Sequence, residues 1–454
     1  MSKTRKFFGT DGIRGLANKA PITPEMMMRI AMAAAQKLGH QHHRNTVVIG
    51  KDTRLSCYMI ENALAAGFAS MGMDVDLLGP IPTPGVAILT RSMRADLGVM
   101  ISASHNLYED NGVKFFGPDG YKLTDAQELE IEDVLEQGTN NLSAPKEMGK
   151  VRPLGDASGR YIEFVKSTLP RQLRLDGIKI VIDCAHGAAY KVAPTVLWEL
   201  GADLVQIGVT PNGMNINAGC GATSTKLLTE TVLQHGADLG ISLDGDADRL
   251  IMVDEKGNVA SGDQLMAILA QSMHQKGLLK HNTVVATQMS NLGFERFLNQ
   301  KKIKLIRTDV GDRYVIKEMQ EHGFTLGGEQ SGHLILSDYS STGDGLLSAL
   351  QILRIFCEQK KPFSELAHTF ESVPQLLRNV RLNDRKVINH PKIVDAIENA
   401  QQQLILQQGR LLVRFSGTEP LLRLMGESDD MTKLTQVIDD LEKNILEFSK
   451  NHPL

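Results

Sequence analysis

The chain has 454 residues and a formal net charge of −4, from 49 basic and 53 acidic side chains. Hydrophobic residues make up 42% of it and charged residues 22%, which excludes a disordered chain, and the near balance of charge disfavours a nucleic-acid partner. The four scattered cysteines form neither a zinc spacing nor a secreted disulfide framework, and no run of 18 apolar residues occurs. We therefore expect reduced thiols in a cytoplasmic protein that spans no membrane.

The opening residues run from basic side chains into a Gly/Asp loop, FGTDGIRG (8–15), without the apolar core of a secretory signal. Arg14 lies in this loop among glycines, which permit close approach by a ligand. Two further cations, Lys51 and Arg54, occur in the loop GKDTR. Cations in such loops are usually solvated, so we interpret these two as surface residues.

Three stretches of the chain repeat one pattern of strand, polar loop, helix and strand. Each leads to a further apolar strand that ends in a distinctive loop, and Ala-Asp-Leu-Gly opens that strand twice. This βαβ pattern predicts parallel sheets covered by helices. The predicted elements are strand 46–49, helix 58–72 and strands 74–79 and 95–101; strand 179–182, helix 190–201 and strands 202–208 and 237–243; strand 283–286, helix 292–300 and strands 302–308 and 324–328.

The first distinctive loop, SASHN, offers Ser102, Ser104, His105 and Asn106, and Lys114 follows it. A serine beside a histidine suggests acyl transfer, but no GxSxG elbow supports a hydrolase, and a polar turn is the simpler interpretation. Beside a metal loop, one of the serines becomes a candidate phosphoryl acceptor. The spacing does not choose between the two serines.

The second loop, DGDADR, places Asp244, Asp246 and Asp248 at alternate positions, which predicts an all-oxygen site for Mg²⁺ or Ca²⁺. Acids at the first, third and fifth positions and Glu255 at the twelfth also match an EF-hand loop. However, Arg249 stands at the sixth position, where that loop needs glycine, and both flanks read as strands. A solvated acidic turn is the remaining alternative.

The third loop, GEQSGH, presents Glu329, Ser331 and His333, whose donors and acceptors suit sugar hydroxyls. After about residue 372 the pattern changes to a smaller α+β arrangement, in which RFSGTEPLLR (414–423) resembles an anion clamp. Ligands bind beyond the carboxyl ends of parallel strands, so the loops would line one cleft if the domains face one another. Although the length predicts about three domains, the elements predict four, at 1–155, 156–257, 258–371 and 372–454.

In order and spacing, these motifs resemble those of the α-D-phosphohexomutase family over essentially the whole chain. The resemblance implies an α/β fold with three similar mixed or parallel-sheet αβα domains and a smaller C-terminal α+β domain around a central cleft. It implies an isomerase that transfers a phosphoryl group within its substrate, with Ser104 rather than Ser102 as the phosphoserine. One Mg²⁺ per chain would be held by the Ser104 phosphate together with Asp244, Asp246 and Asp248.

The resemblance also assigns the remaining candidate residues. Arg14, Lys114 and His333 are candidates for acid/base or leaving-group assistance, without a choice among them. Glu329 and Ser331 would bind sugar hydroxyls, and Arg249 would support the metal loop. The non-reacting phosphate would be held by Arg414, Ser416, Gly417, Thr418 and Arg423.

The sequence departs from the family pattern after the serine loop and inside the metal loop. Leu107 stands where the family usually has proline, and Ala247 where it usually has glycine. If residue 247 needs a positive φ, alanine strains the turn by roughly 1 kcal/mol. We expect a less flexible metal loop with activity retained.

Three segments, MSNLG (289–293), VGDRYV (310–315) and GGEQSGH, resemble the family members that act on glucosamine phosphates. The expected reaction interconverts glucosamine 6-phosphate and glucosamine 1-phosphate and feeds UDP-N-acetylglucosamine synthesis. Glucose or glucosamine 1,6-bisphosphate would serve as primer or intermediate, and a homodimer is an open expectation. Phosphomannomutase or phosphoglucomutase activity, a Mg²⁺-dependent sugar phosphatase and a Ca²⁺-binding module are the alternatives.

Overall fold

The computed structural model describes residues 5–39, 43–138, 142–382, 385–415 and 421–451. The chain forms two compact units, Met1–Thr287 with Ile303–Thr369, and Gln288–Lys302 with Phe370–Leu454. Within the described residues, no helix is long and apolar enough to cross a lipid bilayer.

The first sheet of the larger unit has six strands in the order β1-β5-β4-β2-β3-β6. Its strands are β1 (Ile13–Leu16), β2 (Thr46–Lys51), β3 (Asp74–Pro80), β4 (Leu97–Ile101), β5 (Asp110–Phe116) and β6 (Val151–Pro153). The helices of this region are α1 (Pro24–Leu38), α2 (Ser56–Ser70), α3 (Thr83–Ser92), α4 (Asp125–Gln137) and α5 (Ala157–Ser167).

The second sheet has five strands in the order β11-β10-β9-β7-β8. Its strands are β7 (Lys179–Asp183), β8 (Asp203–Ile207), β9 (Leu239–Leu243), β10 (Leu250–Asp254) and β11 (Val259–Ala260), with helices α6 (Val192–Glu199) and α7 (Lys226–His235).

The third sheet has four strands in the order β13-β12-β14-β15. Its strands are β12 (Thr283–Thr287), β13 (Lys304–Thr308), β14 (Leu326–Gly328) and β15 (Leu334–Leu336). The helices along this part of the chain are α8 (Gly262–Gln275), α9 (Leu292–Gln300), α10 (Asp312–His322), α11 (Gly345–Gln359) and α12 (Phe363–Ala367).

The predicted repeat is confirmed by the strand pairing. Each sheet contains the same three parallel strands, in the orders β4-β2-β3, β9-β7-β8 and β14-β12-β13. An antiparallel strand, β5, β10 or β15, lies against the first member of each trio. The loops SASHN, DGDADR and GEQSGH therefore leave topologically equivalent strands. We refer to these layers as the first, second and third αβα domains.

Strand burial explains why the sequence showed the parallel strands so clearly. All residues of β4, β9 and β12 are buried, so these strands read as continuous apolar runs and not as alternating patterns. Their lengths of five residues and their polar loops distinguish them from buried helices.

The smaller unit contains an antiparallel sheet with the order β16-β18-β17. Its elements are β16 (Gln375–Arg381), α13 (Pro391–Ile405), β17 (Arg410–Phe415), β18 (Leu421–Glu427) and α14 (Met431–Asn451). Helix α9 belongs to this unit, because Phe370 packs against both Phe294 and Phe297 with ring centroids 5.9 Å apart. The prediction of three αβα domains and a smaller α+β domain is confirmed.

Candidate functional site

The serine loop of the first αβα domain meets the acidic loop of the second. Ser104 follows β4 and is buried, and its hydroxyl donates a hydrogen bond to Asp244 Oδ2 at 2.6 Å. Its own N–H donates to Ser102 Oγ at 2.9 Å. The structure therefore turns the side chain of Ser104, and not that of Ser102, toward the acidic loop.

The end of β2 and the loop that follows it hold Lys51 and Arg54, and our interpretation of these cations as solvated surface residues was wrong. Lys51 is buried and pairs with Glu61 at 2.5 Å. Arg54 is fully buried, pairs with Asp52, and donates from Nη2 to the carbonyl oxygens of Ser104 and Asn106 at 3.1 and 2.6 Å. The parallel strands β2 and β4 end at one edge of the sheet, which brings the two loops together.

The three carboxylates of DGDADR form a compact buried cluster. Oxygen atoms of Asp244, Asp246 and Asp248 lie within 4.8 Å of one another. Burial, together with repulsion from Asp248 and Asp246, raises the pKa of Asp244 to about 7. The buried Asp246 Oδ1 accepts no hydrogen bond from any residue that the structure describes.

This donor set fits a hard divalent cation. Mg²⁺ prefers carboxylate oxygens, and a cation would relieve the repulsion within the cluster. The flanks of the loop are the antiparallel strands β9 and β10, whereas an EF-hand loop joins two helices. The EF-hand alternative is therefore excluded.

The acidic loop is held from both neighbouring αβα domains. Thr83, at the start of α3, donates its hydroxyl to Asp246 Oδ2 at 2.6 Å and its N–H to the Asp246 carbonyl oxygen at 2.9 Å. Gly345, at the start of α11, donates its N–H to the Ala247 carbonyl oxygen at 3.0 Å. Sequence reasoning missed Thr83, although its loop follows β3 at the same sheet edge as the other loops.

Lys114 lies on β5 with its ammonium group among carboxylates. The distances from Nζ are 2.9 Å to Asp246, 3.2 Å to Asp248 and 3.1 Å to Asp11. These charges raise the pKa of Lys114 well above its usual value, although burial opposes the shift. Asp11, from FGTDGIRG, also pairs with Arg14, so one carboxylate positions two of the predicted site cations.

His333 closes a ring of alternating charges, in which Asp11 and Lys122 are partly exposed and the other members are buried. Its Nδ1 lies 3.6 Å from Asp248 and its Nε2 lies 3.5 Å from Asp312, at the start of α10. Lys122 bridges Asp312, at 2.5 Å, and Asp11. Burial would lower the pKa of His333, but the charges of Asp248 and Asp312 outweigh it and raise the pKa to about 8. Lys122 and Asp312 were not among the predicted site residues.

The remaining predicted residues of the larger unit lie around this ring with different exposure. Arg249 donates its N–H to Asp244 Oδ1 at 3.2 Å. Glu329 accepts the Gly311 N–H at 3.2 Å, and burial raises its pKa, whereas Ser331 is exposed. His105, beside Ser104, has its pKa lowered to about 4 by burial and by the positive charge of Arg249.

The predicted phosphate clamp is partly described. Arg414 and Arg423 lie directly opposite each other on β17 and β18 of the smaller unit. Directly opposed positions of an antiparallel pair share one face of the sheet, so the two side chains leave the sheet on the same side. Ser416, Gly417 and Thr418 lie outside the described residues.

Family models cover nearly the whole chain. Residues 5–142, 159–257 and 261–373 match the phosphoglucomutase/phosphomannomutase alpha/beta/alpha domains I, II and III, and residues 377–444 match the C-terminal domain of the same family.

Curated relatives and solved structures agree with these matches. Phosphoglucosamine mutase from Caulobacter vibrioides (strain NA1000 / CB15N) is 57% identical over 443 residues, which cover 97% of this chain and 98% of the relative. A phosphoglucomutase/phosphomannomutase family protein from Burkholderia thailandensis shares the fold with a TM-score of 0.80 at 21% identity, over 98% of both chains. Aspergillus fumigatus N-acetylphosphoglucosamine mutase, solved with GlcNAc-6P and magnesium, shares it with a TM-score of 0.66 at 15% identity, over 98% of this chain and 96% of that one.

Proposed function

The chain belongs to the phosphoglucomutase/phosphomannomutase family, and from this premise we propose that it interconverts glucosamine 6-phosphate and glucosamine 1-phosphate. The enzyme is an intramolecular phosphotransferase of the isomerase class. Its identity of 57% to a curated phosphoglucosamine mutase over 97% of the chain supports this substrate over a mannose or glucose phosphate.

One contact supports the mechanism more than any other: the 2.6 Å hydrogen bond from Ser104 Oγ to Asp244 in the carboxylate cluster. This contact sets an oxygen nucleophile beside a cation site, which phosphoryl transfer requires. Ser104 is the proposed phosphoserine.

Asp244, Asp246 and Asp248 are the proposed ligands of one Mg²⁺, with the Ser104 phosphate as a further ligand. The bound ion would neutralise charge on the phosphoryl group during transfer. Arg249 supports the loop through its N–H bond to Asp244.

The reaction proceeds in two transfers. In the first, the bond between phosphorus and Ser104 Oγ breaks as a bond forms to the C1 oxygen of glucosamine 6-phosphate, and the proton that the C1 hydroxyl loses is balanced by one that Ser104 Oγ gains. In the second, the bond between phosphorus and the C6 oxygen of the 1,6-bisphosphate breaks as a bond to Ser104 Oγ forms, and the proton that the Ser104 hydroxyl loses is balanced by one that the C6 oxygen gains. Glucose 1,6-bisphosphate would prime an unphosphorylated enzyme by the same second step.

Of the three predicted candidates, His333 is the proposed general acid and base. Arg14 carries a guanidinium that does not deprotonate in proteins, and Lys114 is held as an ammonium by three carboxylates. Both cations are suited to binding phosphate oxygens. The imidazole of His333 both accepts and donates protons near neutral pH.

The sugar and the second phosphate have separate proposed sites. Glu329 and Ser331 would bind sugar hydroxyls, and Arg414 and Arg423, with residues 416–418, would bind the non-reacting phosphate. The domain boundaries after residues 155, 257 and 371 are part of this proposal. The homodimer, the cytoplasmic location and the role in UDP-N-acetylglucosamine synthesis stay predictions.

³¹P NMR tests the proposal directly. The protein is incubated with glucosamine 6-phosphate, Mg²⁺ and a trace of glucose 1,6-bisphosphate, with Ser104→Ala in parallel. We expect a new anomeric phosphate resonance with the wild-type protein. The resonance should not appear with Ser104→Ala, nor with wild-type protein from which EDTA has removed the metal.

Two other outcomes would overturn the proposal. Release of inorganic phosphate would identify a phosphatase, in which water reaches the phosphoserine. An unchanged spectrum would exclude the glucosamine assignment, and the same experiment with mannose and glucose phosphates would then identify the sugar.

A further inference from the structure

Two side chains from different αβα domains bind the same two carbonyl oxygens of the serine loop. Arg54 of the first domain donates from Nη2 to Ser104 O and Asn106 O, at 3.1 and 2.6 Å. Asn217 of the second domain donates from Nδ2 to the same two atoms, at 2.9 and 2.8 Å. Both side chains are buried, so these hydrogen bonds are shielded from competing water.

The first of these two carbonyl groups belongs to a residue in a costly backbone conformation. Ser104 has φ +52°, in the left-handed region that costs a non-glycine residue roughly 1 kcal/mol or more. Such a conformation persists only when its surroundings hold it. In it, the Ser104 hydroxyl lies 2.6 Å from Asp244, so a return to negative φ would swing Oγ away from the acidic loop.

The neighbouring sequence increases the need for this restraint. Leu107, which is exposed, follows the bonded residue Asn106, where a proline would have stiffened the backbone. Asn217 is itself in the left-handed region, with φ +58°, a conformation that asparagine tolerates better than most residues. Its backbone is anchored separately, because its N–H donates to the Ala185 carbonyl oxygen at 2.9 Å.

We propose that Asn217 is a positioning residue for the nucleophile: from the second domain it locks the backbone of 104–106, so that Ser104 Oγ faces the acidic loop. The proposal rests on the proposed function only for its kinetic consequence, since the restraint on the loop is a property of the fold. Arg54 performs the same task from the first domain, but it also pairs with the buried Asp52, so its removal would disturb more than the loop.

The test compares Asn217→Gly with wild type and with Asn282→Gly. Glycine adopts positive φ without strain, so Asn217→Gly removes the two side-chain bonds and keeps the backbone conformation. Asn282 is a matched control, because it is an exposed asparagine with φ +46° in the third domain. Asn217→Asp serves as a second variant of equal size, whose carboxylate lacks the two donors.

We expect faster amide hydrogen exchange in a peptide covering 103–107 of Asn217→Gly, in unliganded protein, with exchange elsewhere unchanged. We also expect kcat to fall about 10- to 100-fold while KM for glucosamine 6-phosphate stays within about threefold, because misplacement of about 1 Å costs a reacting group that much. Asn217→Asp should show the same fall in kcat with KM nearly unchanged. Asn282→Gly should match wild type in both amide exchange and kinetics.

Unchanged exchange in 103–107, or a folded Asn217→Gly with wild-type kcat, would overturn the proposal. So would an increase in exchange spread over the whole chain with a matching fall in melting temperature, which would indicate a structural role only. If wild type itself fails to convert glucosamine 6-phosphate, the proposed function falls, while the exchange measurement still decides whether Asn217 restrains the loop.

Discussion

Three buried non-glycine residues with positive φ surround the candidate reaction centre. They are Ser104, Asn217 and Ala247, with φ of 52°, 58° and 57°. Strained backbone positions persist where neighbouring contacts over-determine them. Here Ser104 and Ala247 lie in the serine and acidic loops themselves, and Asn217 bonds to the serine loop. The sequence left open whether residue 247 needs a positive φ. It does, because Ala247 stands in the left-handed region at a position where the family usually has glycine.

Substitutions of Ala247 test this strain. Ala247→Gly relieves roughly 1 kcal/mol of strain but loses a buried methyl group worth about 0.8 kcal/mol, so we expect little change in melting temperature. Ala247→Val adds β-branching at positive φ, and should lower the stability by about 2 kcal/mol or more. Thermal unfolding of both variants provides the measurement, and a wild-type melting temperature for Ala247→Val would contradict a left-handed residue 247.

A second residue-scale prediction concerns pH. Asp344 is buried and accepts hydrogen bonds from Tyr161 and from the Leu347 N–H, yet burial raises its pKa to about 7. Because the pKa of Asp344 in the folded protein lies above the unfolded value near 4, its contribution to the free energy of unfolding is fully present below pH 4. That contribution is lost as the pH rises to 7. The loss has a limiting slope of about 1.4 kcal/mol per pH unit.

Asp344→Asn keeps the accepting oxygen and cannot ionise. We expect its melting temperature, relative to wild type, to rise between pH 4 and pH 7 and to stay level above that. Asp203→Asn, at an exposed aspartate of β8, should show no such trend. A constant difference between Asp344→Asn and wild type across this range would show that Asp344 does not titrate there.

At the scale of elements, helix α4 anchors the segment that leads into FGTDGIRG. Glu132 accepts the N–H groups of Lys6, Phe7 and Phe8, at 2.7, 2.6 and 2.9 Å. Phe8 in turn is buried in the core of the first domain. One carboxylate on the helix therefore fixes the approach to β1, which carries Arg14.

Glu132→Ala should release this segment. Hydrogen bonds to a charged group contribute about 1.5–3 kcal/mol, so we expect a lower melting temperature and faster amide exchange at residues 6–8. The exposed Glu136→Ala on the same helix is the control and should change neither quantity. Protection of residues 6–8 that survives the loss of Glu132 would show that Phe8 packing alone anchors the segment.

Elements differ in how far the sequence predicted them. The strand predicted at 283–286 is β12 with one further residue, and the helix predicted at 292–300 is α9, because apolar β-branched runs and helical periodicity are local signals. By contrast, the sequence pattern predicts a loop where β1 lies and predicts no strand where β5 lies. These two short strands pair antiparallel although about a hundred positions separate them in the sequence, and a glycine in each obscures the strand pattern.

At the scale of the whole molecule, the ring of alternating charges joins all three αβα domains. Asp11, Lys114 and Lys122 come from the first domain, Asp248 comes from the second, and the third supplies His333 and Asp312. Buried charges are tolerated only when paired, so each member depends on partners from a distant part of the chain.

Lys122→Met should break the ring. The change leaves Asp312 with His333 as its remaining cationic partner and should cost about 1–3 kcal/mol, whereas Lys122→Arg keeps the charge and should restore part of the stability. Combining Lys122→Met with Asp312→Asn should cost less than the sum of the two single changes, as thermal unfolding would show.

The control is Lys317→Met, at an exposed lysine of α10, which should change stability by less than about 0.5 kcal/mol. Strict additivity of Lys122→Met and Asp312→Asn would show that the two side chains do not depend on each other.

The sequence by itself determined the repeat, the fold class and the loops that carry the chemistry. Each of these follows from short stretches of neighbouring residues, namely strand patterns, turn residues and alternating carboxylates. Only the tertiary structure showed that Arg54 is buried beneath the serine loop and that Asn217 and Thr83 bind the loops from other domains. Contacts between residues 50 to 163 positions apart leave no periodicity in the chain. They arise because strands distant in the sequence end at a common sheet edge, within one domain for Arg54 and between packed domains for Asn217 and Thr83, and that packing also decides which buried charges have partners.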